Sequence, residues 1–445
     1  MISEKLAKRA QAGNPIKVGW VGAGRMNTGA ICQTASMKGI FNSVICDLRV
    51  DAAVRAYELN GFSRDDILVT NDPSAANDAV LKGKPVVTET HAVMPELVLD
   101  CIVEGTGIPE VGAEVAYRAI LGGKNIILLN VETDVVIGPI LHRLAERAGV
   151  VYSVSSGDEP GLITELVDRY GGLGFEVVAV GKSPVSLAKM DRYATPDTVA
   201  EDGRLLDINP HILVTFRDGT KTSIEMSSIS NATGLVPDVC GMHGPTAGIQ
   251  DMAKLFCLRE EGGILHRRGV VDYARPLLLE DGCVDFIHSV TPGVFLVLRT
   301  THPQLQHDLE YWNVIHSGEY YTFYTPYHLA SNELPLSIVW AVEDHEPTVV
   351  PRYGLVTEVI GAAKGDIKAG TVLRNAYHMY ALNDRAEITK RKNFVPFGLL
   401  ENAKAIRDIK KDEIVRWEMI EPKNDTVLFF LRKLQDQLLD GKKEI

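Results

Sequence analysis

The chain has 445 residues, more than one compact domain usually holds, so two or three domains are expected. A hydrophobic share of 45% is ordinary for a globular protein, and a formal net charge of −12 argues against nonspecific nucleic-acid binding, which needs clustered cations. No apolar run is long enough to span a membrane, no signal peptide is evident, and the six scattered cysteines indicate thiols of a reducing cytoplasm.

The first strong pattern is a buried strand, predicted over 16–21, that runs into Gly22-x-Gly24 and then into a helix. A strand, a glycine turn and a helix start in this order build a phosphate-binding loop, because glycine lets a pyrophosphate approach the backbone at the helix N-terminus. The third glycine of the dinucleotide fingerprint is replaced by Asn27. The pattern therefore predicts a dinucleotide site with an incomplete fingerprint.

The second predicted strand, 43–47, ends at Asp47. A carboxylate at this position can accept both hydroxyls of an adenosine ribose and would repel a 2′-phosphate, whereas Arg49 could serve a 2′-phosphate instead. The cofactor is accordingly predicted to be NAD or NADP, with NAD slightly favoured. The alternative is that Asp47 only caps a helix predicted over 50–59.

From residue 16 to about 155, short apolar strands alternate with helical stretches, which is typical of a doubly wound parallel sheet. The loop at 105–107 and Asn130 each follow a strand, where ligands bind in open α/β sheets. The predicted strands are 16–21, 43–47, 85–88, 99–104, 125–129 and 150–154. The candidate cofactor-binding residues are Gly22, Gly24, Arg25, Met26, Asp47, Gly105, Thr106, Gly107, Asn130 and Glu132.

After Gly157 the pattern changes to a mixture of helices and strands. A helix is predicted over 160–171 and a strand over 175–181. Two further strands, 211–217 and 221–229, are predicted to form a hairpin around an Asp-Gly turn. From about residue 351, two related turns, within 356–373 and 404–415, predict a compact all-β module, followed by a helix over 427–439.

The predicted architecture is therefore α/β, with three consecutive domains. These are 1–155, an NAD(P)-binding Rossmann domain; 156–350, an α+β catalytic or substrate domain; and 351–445, an all-β module with a C-terminal helix.

Lys182, at the end of a predicted strand, is the first candidate for a general acid/base, because burial lowers the pKa of a lysine toward neutrality. A solvated lysine is the alternative. Asp158 and Glu159 are candidate catalytic carboxylates that could orient Lys182, bind hydroxyls or hold a divalent cation; capping the helix 160–171 is the alternative. His243, which has Gly241 and Gly244 close by, is a candidate second acid/base.

The candidate substrate-binding residues are Arg299, Tyr327 and His328. The remaining histidines show no metal-ligand spacing, so no metal site is predicted, although a divalent metal stays possible in principle. We expect small-molecule substrates, no nucleic-acid or membrane partner, and a homo-oligomer, either dimer or tetramer.

Longer motifs carry a family resemblance; they lie at 105–112, 130–134, 157–160, 231–238, 241–245, 291–295 and 326–329. With them the chain resembles homoserine-dehydrogenase-like oxidoreductases that carry a C-terminal SAF-type β-clip domain, and it is most similar to the 1-deoxy-D-xylulose 5-phosphate reductoisomerase-like (DRL) enzymes. The resemblance implies NAD(P)-dependent hydride transfer to or from a small polyhydroxylated carbonyl substrate, with or without a phosphate.

Two alternatives stay open. One is a true reductoisomerase, in which rearrangement precedes reduction by NADPH. Against it, Thr325 and Arg299 stand where the reductoisomerase-like pattern carries arginine and lysine. The other is a non-catalytic dinucleotide-binding sensor, since Glu132 stands where homoserine dehydrogenases carry lysine.

Overall fold

The computed structural model describes residues 1–440 of the chain. Their contacts divide the chain into two compact units, each built from separate segments. Unit 1 comprises Met1–Gly161, Leu329–Val350 and the segment from Thr426 onward, and unit 2 comprises Leu162–His328 and Pro351–Asp425. The chain thus leaves and re-enters each unit, whereas the sequence suggested three consecutive domains.

Unit 1 contains a seven-stranded sheet in which every pairing is parallel, in the order β3-β4-β2-β1-β5-β6-β7. Its strands, numbered along the chain, are β1 Ile16–Val21, β2 Ile40–Cys46, β3 Leu68–Val69, β4 Val86–Thr88, β5 Cys101–Glu104, β6 Asn125–Leu128 and β7 Tyr152–Val154. Its helices are α1 Ile2–Gln11, α2 Arg25–Ala35, α3 Val50–Glu58, α4 Pro73–Leu81, α5 Pro109–Leu121, α6 Val131–Ala148, α13 Ala330–Val339 and α16 Val427–Asp440. The predicted Rossmann-like doubly wound sheet is confirmed.

Helix α16 repairs an interruption in helix α6. Pro139 has no backbone N–H, so it breaks the hydrogen-bond ladder of α6. The missing N–H would have bonded to the carbonyl of Val135. Gln435 of α16 bridges the next pair of the ladder: its Oε1 accepts the N–H of Ile140 at 3.1 Å, and its Nε2 donates to the carbonyl of Val136 at 3.1 Å. A side chain from the last described helix therefore completes the backbone pairing of a helix that begins at residue 131.

Unit 2 is built on a mixed six-stranded sheet in the order β12-β13-β11-β8-β10-β9. The strands are β8 Glu176–Lys182, β9 Val236–Pro237, β10 Val270–Tyr273, β11 Val294–Arg299, β12 Ile315–Ser317 and β13 Tyr320–Thr325. β8 pairs parallel with β10 and antiparallel with β11. The helices that precede or belong to this unit are α7 Glu159–Gly172, α8 Ala200–Leu206, α9 Pro210–Arg217, α10 Thr220–Thr233, α11 Met252–Leu255, α12 Pro303–Tyr311, α14 Asn375–His378 and α15 Ala386–Arg391.

The predicted hairpin over 211–229 is wrong, because these residues form helices α9 and α10. Nearly every residue of α10 is buried, so its sequence lacks the alternating polar face by which a surface helix is recognised. Some of its hydroxyls bond within the helix: Ser227 donates to the carbonyl of Ser223 at 2.9 Å, and Ser230 to that of Met226 at 2.9 Å. Gly219, with φ 85°, links the two helices rather than two strands.

The C-terminal part of unit 2 contains two small antiparallel pairs, β14 Thr357–Ala363 with β15 Met379–Arg385, and β16 Lys404–Ala405 with β17 Ile420–Glu421. The two related turns meet here, since Ile367 and Ile409 exchange backbone hydrogen bonds of 2.8 and 2.9 Å. Lys368 binds Asp408 at 2.8 Å, and Lys410 binds Asp366 at 3.3 Å. The sequence repeat is therefore a reciprocal structural pair, while its assignment as a SAF-type domain stays a prediction.

Within residues 1–440, no helix combines the length and the apolar character that crossing a membrane requires.

Candidate cofactor and active sites

The glycine turn of unit 1 lies between β1 and α2. Gly22 has φ 91°, and a Cβ there would lie 3.3 Å from the methyl group of Thr106 in the loop after β5. Gly24 is the N-cap of α2, and a Cβ there would meet no atom within 4 Å. Open space beside a helix N-terminus is the geometry that a pyrophosphate requires, so this loop fits the dinucleotide prediction.

Asn27 compensates for the missing third glycine. Its buried side chain donates from Nδ2 to the carbonyls of Val21 at 3.1 Å and Gly22 at 2.8 Å, and these two hydrogen bonds hold the backbone of the turn in place. The amide occupies the space next to Gly105, where any Cβ would collide with it. A side chain is therefore accommodated at position 27 because residue 105 is a glycine.

Asp47 follows β2 and reaches across to the glycine turn. Its Oδ2 accepts the N–H of Ala23 at 2.7 Å, and its Oδ1 accepts the N–H of Arg49 at 2.8 Å. Arg49 is the N-cap of α3, and its side chain is 78% exposed. Asp47 thus has a structural role in joining two loops at the carboxyl edge of the sheet, besides any role toward a ribose.

A buried carboxyl group that sequence reasoning missed lies beside this turn. Glu104 ends β5, is fully buried, and accepts hydrogen bonds from both the N–H (2.8 Å) and the hydroxyl of Thr106. Burial raises the pKa of Glu104 to about 7, although the bonds from Thr106 oppose the shift. The signal in the sequence was a glutamate as the last residue of an apolar strand, directly before Gly-Thr-Gly.

Asn130 is a helix cap in this structure. Its Oδ1 accepts the N–H of Thr133 at 3.2 Å at the start of α6, and its Nδ2 donates to the carbonyl of Ile108 at 3.1 Å. Glu132 lies in the first turn of the same helix.

Met26 is 43% exposed and lies, like Arg25, in the first turn of α2. Gly107 adopts φ 69° in the loop that contains Thr106.

We expect Glu104→Gln to change how stability depends on pH. In the folded protein Glu104 keeps its proton up to about pH 7, against an ordinary pKa of 4.5, so the folded state binds more protons between these values. The free energy of unfolding therefore falls as pH rises from about 4.5 to about 7, by at most about 3.4 kcal/mol at 1.36 kcal/mol per pKa unit. Thermal unfolding across this range should show a flatter profile for Glu104→Gln, and parallel profiles would contradict the prediction.

In unit 2, Lys182 ends β8 and is almost fully buried, with 4% of its side chain exposed. Its ammonium pairs directly with the carboxylate of Glu225 on α10, which is 2% exposed and also lies 3.5 Å from the ammonium of Lys221. The alternative of a solvated lysine is excluded by this burial. Glu225 was missed because its helix was predicted as a strand.

The motifs at 291–293 and 326–328 lie at the same end of the sheet as Lys182, before β11 and after β13. Val294 of β11 lies opposite both Lys182 and Thr325, and the N–H of Ser183 donates to the carbonyl of Gly293 at 3.0 Å. The ring of His328 contacts the carbonyl of Pro292 through Nδ1 at 2.7 Å. Tyr327, at the same end of β13, is 53% exposed.

His243 belongs to a different group of residues. Its backbone N–H and that of Gly244 donate to buried Asp272 of β10 at 2.9 to 3.2 Å, and burial raises the pKa of Asp272 to about 6. The β8–β10 register pairs Asp272 with Gly181, so the side chains of Asp272 and Lys182 point to opposite faces of the sheet. The ring of His243 instead contacts Asp238, through Nε2 at 2.8 Å.

Arg299 lies at the far end of the sheet from Lys182. It pairs with Glu176 in the β8–β11 register, five residues or about 16 Å along the strand from Val294. Its guanidinium binds Glu176 at 3.2 Å and Glu319 at 2.5 Å. This position argues against Arg299 as a substrate ligand at the Lys182 edge.

Asp158 and Glu159 lie in unit 1, at the start of α7. Both carboxylates are buried, with 7% and 4% exposure. Gly157 has φ 77°, and a Cβ there would collide with Glu333 of α13, so the chain enters α7 through a tightly packed turn. Both residues stay candidates for a catalytic or hydroxyl-binding role.

Residues 157–334 match the family model described as "Oxidoreductase DRL, catalytic domain". This segment, which is less than half of the chain, is similar to the catalytic domain of DRL-type oxidoreductases. It includes Lys182, Glu225 and His243. A search of curated proteins finds none that matches the sequence.

Several solved dehydrogenase structures and one reductoisomerase are similar to this chain. The dehydrogenase from Chromobacterium violaceum is 20% identical, with 40% of this chain and 46% of that chain covered and a TM-score of 0.26. The 1-deoxy-D-xylulose 5-phosphate reductoisomerase from Zymomonas mobilis, in complex with NADPH, is 16% identical, with 48% of this chain and 57% of that chain covered and a TM-score of 0.33. A homoserine dehydrogenase from Thiobacillus denitrificans is 14% identical, with 91% of this chain and 98% of that chain covered and a TM-score of 0.41.

The match spans about half the length of the first two structures. All three TM-scores lie below 0.5, so these likenesses carry no argument about activity.

Proposed function

We propose that the protein is an NAD(P)-dependent oxidoreductase that transfers a hydride to or from a small polyhydroxylated carbonyl substrate, with Lys182 as general acid/base. The observation that carries the proposal is the buried pair of Lys182 and Glu225 inside the DRL-type domain. A buried ionic pair is expensive to form and weak as a source of stability, which favours a functional reason for it. A homo-oligomeric state and a cytoplasmic location belong to the same proposal.

In this proposal Lys182 donates a proton to the substrate oxygen during reduction and accepts it during oxidation. Glu225 holds the Lys182 ammonium in one orientation, and when Lys182 gives up its proton the buried negative charge of Glu225 remains and needs another cation beside it. Lys221, 3.5 Å from the second carboxylate oxygen, supports the charge of Glu225. The bound nicotinamide supplies or takes up the hydride.

Unit 1 is proposed to hold the dinucleotide. A Cβ at Gly24 would meet no protein atom, so the backbone there is accessible to the pyrophosphate, and the N-terminus of α2 provides N–H groups and a positive dipole end. Asp47 keeps free lone pairs on both carboxylate oxygens after accepting one N–H on each, and these are proposed to accept the ribose hydroxyls.

Cofactor choice is expected to depend on Asp47 and Arg49. Asp47→Asn should weaken NADH binding more than NADPH binding, because it removes the charge that repels a 2′-phosphate while the amide oxygen can still accept one N–H of the turn. Arg49→Met should lower only the affinity for NADPH, since its side chain is exposed and its backbone supports the turn. Fluorescence titration of each protein with both cofactors measures these changes. Equal losses for both cofactors in Asp47→Asn would show that the residue only shapes the turn.

The activity itself is tested with a panel of polyols, hydroxy acids, ketoses and sugar phosphates, including 1-deoxy-D-xylulose 5-phosphate, by following NADH and NADPH absorbance. Turnover with at least one polyhydroxylated substrate supports the proposal. Tight cofactor binding with no turnover on the whole panel would favour the sensor alternative.

A further inference from the structure

Three potential metal ligands converge in unit 2. Nε2 of His243 lies 2.8 Å from Oδ2 of Asp238, and Nδ1 of His266 lies 2.9 Å from the same oxygen. One ligand atom from each of the three residues lies within 4.8 Å of the other two. Two ligand atoms bound at right angles to a metal about 2.1 Å away are about 3 Å apart, so the spacing suits a shared ion.

Strand ends and backbone hydrogen bonds hold the three ligands in place. Asp238 directly follows β9, and its Oδ2 also accepts the N–H of His266 at 2.9 Å. The N–H of His243 is fixed by Asp272 of β10. The imidazole rings of His243 and His266 are nearly parallel, 24° apart, with centroids at 6.3 Å. The cluster is therefore formed by three loops that the sheet already positions, as a preorganised site requires.

The carboxylate of Asp238 gives an independent reason to expect a ligand. Its side chain has no exposed surface, and Oδ1 has no hydrogen-bond partner among the described residues. Oδ2, in contrast, lies within hydrogen-bond distance of three nitrogen atoms. A buried, unpaired carboxylate oxygen is costly, and a cation bound by the carboxylate would remove that cost.

We propose that Asp238, His243 and His266 bind one first-row transition-metal dication of the Zn²⁺ class. Two imidazoles and a single carboxylate favour zinc, cobalt, nickel, iron(II) or manganese over magnesium and calcium, which prefer all-oxygen sites. His266 is 50% exposed, so the ion keeps open positions for water or a ligand. The proposal departs from the sequence-based expectation of no metal site, and as a ligand His243 does not serve as a free acid/base.

The test is metal binding by the full chain after treatment with a chelator and gel filtration. Titration with Co²⁺, followed by its visible absorption, and with Zn²⁺, by calorimetry, should each show about one equivalent bound. Mg²⁺ at the same concentrations should show none. Failure to bind either Co²⁺ or Zn²⁺ near one equivalent would overturn the proposal, whatever the protein's activity with nicotinamide cofactors.

Matched variants assign the site. Asp238→Asn and His266→Gln should each lower the affinity for Zn²⁺ more than about 100-fold, beyond the 10–100-fold typical of outer-shell partners. His288→Gln is the control, because His288 contacts Asp285 at the same distance, 2.8 Å, but on the surface and outside the three-residue cluster. Circular dichroism and thermal unfolding verify that each variant is folded.

Two results would contradict the assignment. Equal affinity in Asp238→Asn, His266→Gln and the original protein would place the ion elsewhere. A thiolate-to-cobalt charge-transfer band would identify a cysteine ligand, for which the exposed Cys240 and Cys283 are available.

Discussion

Replacing Lys182 with methionine is expected to lower kcat by 10²- to 10⁴-fold, the range for a general acid/base. Methionine has a similar length and fills the same buried space, but it has no proton to donate and no charge to polarise a carbonyl. The measurement is steady-state oxidation of the preferred cofactor with the best substrate of the panel. Cofactor affinity, measured separately, should change little, since the glycine turn belongs to another unit.

The main confounding effect is stability, because Lys182→Met leaves Glu225 buried without its partner. Breaking a buried ion pair in this way typically costs 3–5 kcal/mol. The double variant Lys182→Met/Glu225→Gln should therefore regain stability without regaining turnover. Recovery of kcat in the double variant would show that the single change acted only through the fold.

Unit 2 offers a matched control in a second buried pair, Lys364 with Asp218. The two ion pairs have the same side-chain exposure, 4% and 2%, and the Nζ–Oδ2 distance of the control is 2.9 Å. Lys364 also donates to two backbone carbonyls, which is typical of a structural lysine. Lys364→Met should lower Tm while its folded fraction keeps kcat within about threefold. If it loses as much kcat as Lys182→Met, burial rather than chemistry explains both.

Gly105→Ala is expected to weaken dinucleotide binding by about 5- to 150-fold, the equivalent of the 1–3 kcal/mol typical of overpacking. The new methyl group would collide with the Asn27 amide, which holds the carbonyls of Val21 and Gly22 in place. The glycine turn, where we propose that the pyrophosphate binds, must then move. Calorimetric titration with NADH and NADPH measures the loss.

A second substitution should reverse the effect. Asn27→Gly restores the third glycine of the fingerprint and removes the atoms that the Gly105→Ala methyl would meet, so the double variant should recover most of the affinity. Gly24→Ala is the complementary probe: its Cβ meets no protein atom, so stability should not change while cofactor affinity falls. Full affinity in both Gly105→Ala and Gly24→Ala would contradict the placement of the dinucleotide.

Much of unit 1 could be predicted because its strands are continuous apolar runs bounded by turn residues. Buried parallel strands have this pattern, so all six predicted strands are confirmed; only the two-residue strand Leu68–Val69 was missed. The position of Asp47 followed from the same logic, since it directly succeeds a strand. That its oxygens bind the backbone of Ala23 and Arg49 could not be deduced, because it depends on how close two loops approach.

The residues missed in unit 2 depend on tertiary burial. Glu225 could not be paired with Lys182 while its helix was predicted as a strand, and a helix buried on all sides has no periodic signal. His266 and Asp238 are 28 residues apart, so no ligand spacing connects them. Their proximity depends on the loop before β10 approaching the end of β9, where the N–H of His266 donates to Asp238.

The contact between Gln435 and the break at Pro139 has a consequence for biosynthesis. A ribosome releases residues 1–161 first, yet α16, which closes the gap in α6, is made only after all of unit 2 has been synthesised. Domains of most multidomain chains fold in order as they emerge. Here the backbone pairing of α6 in unit 1 is completed only after α16 has been synthesised, which is later than all of unit 2.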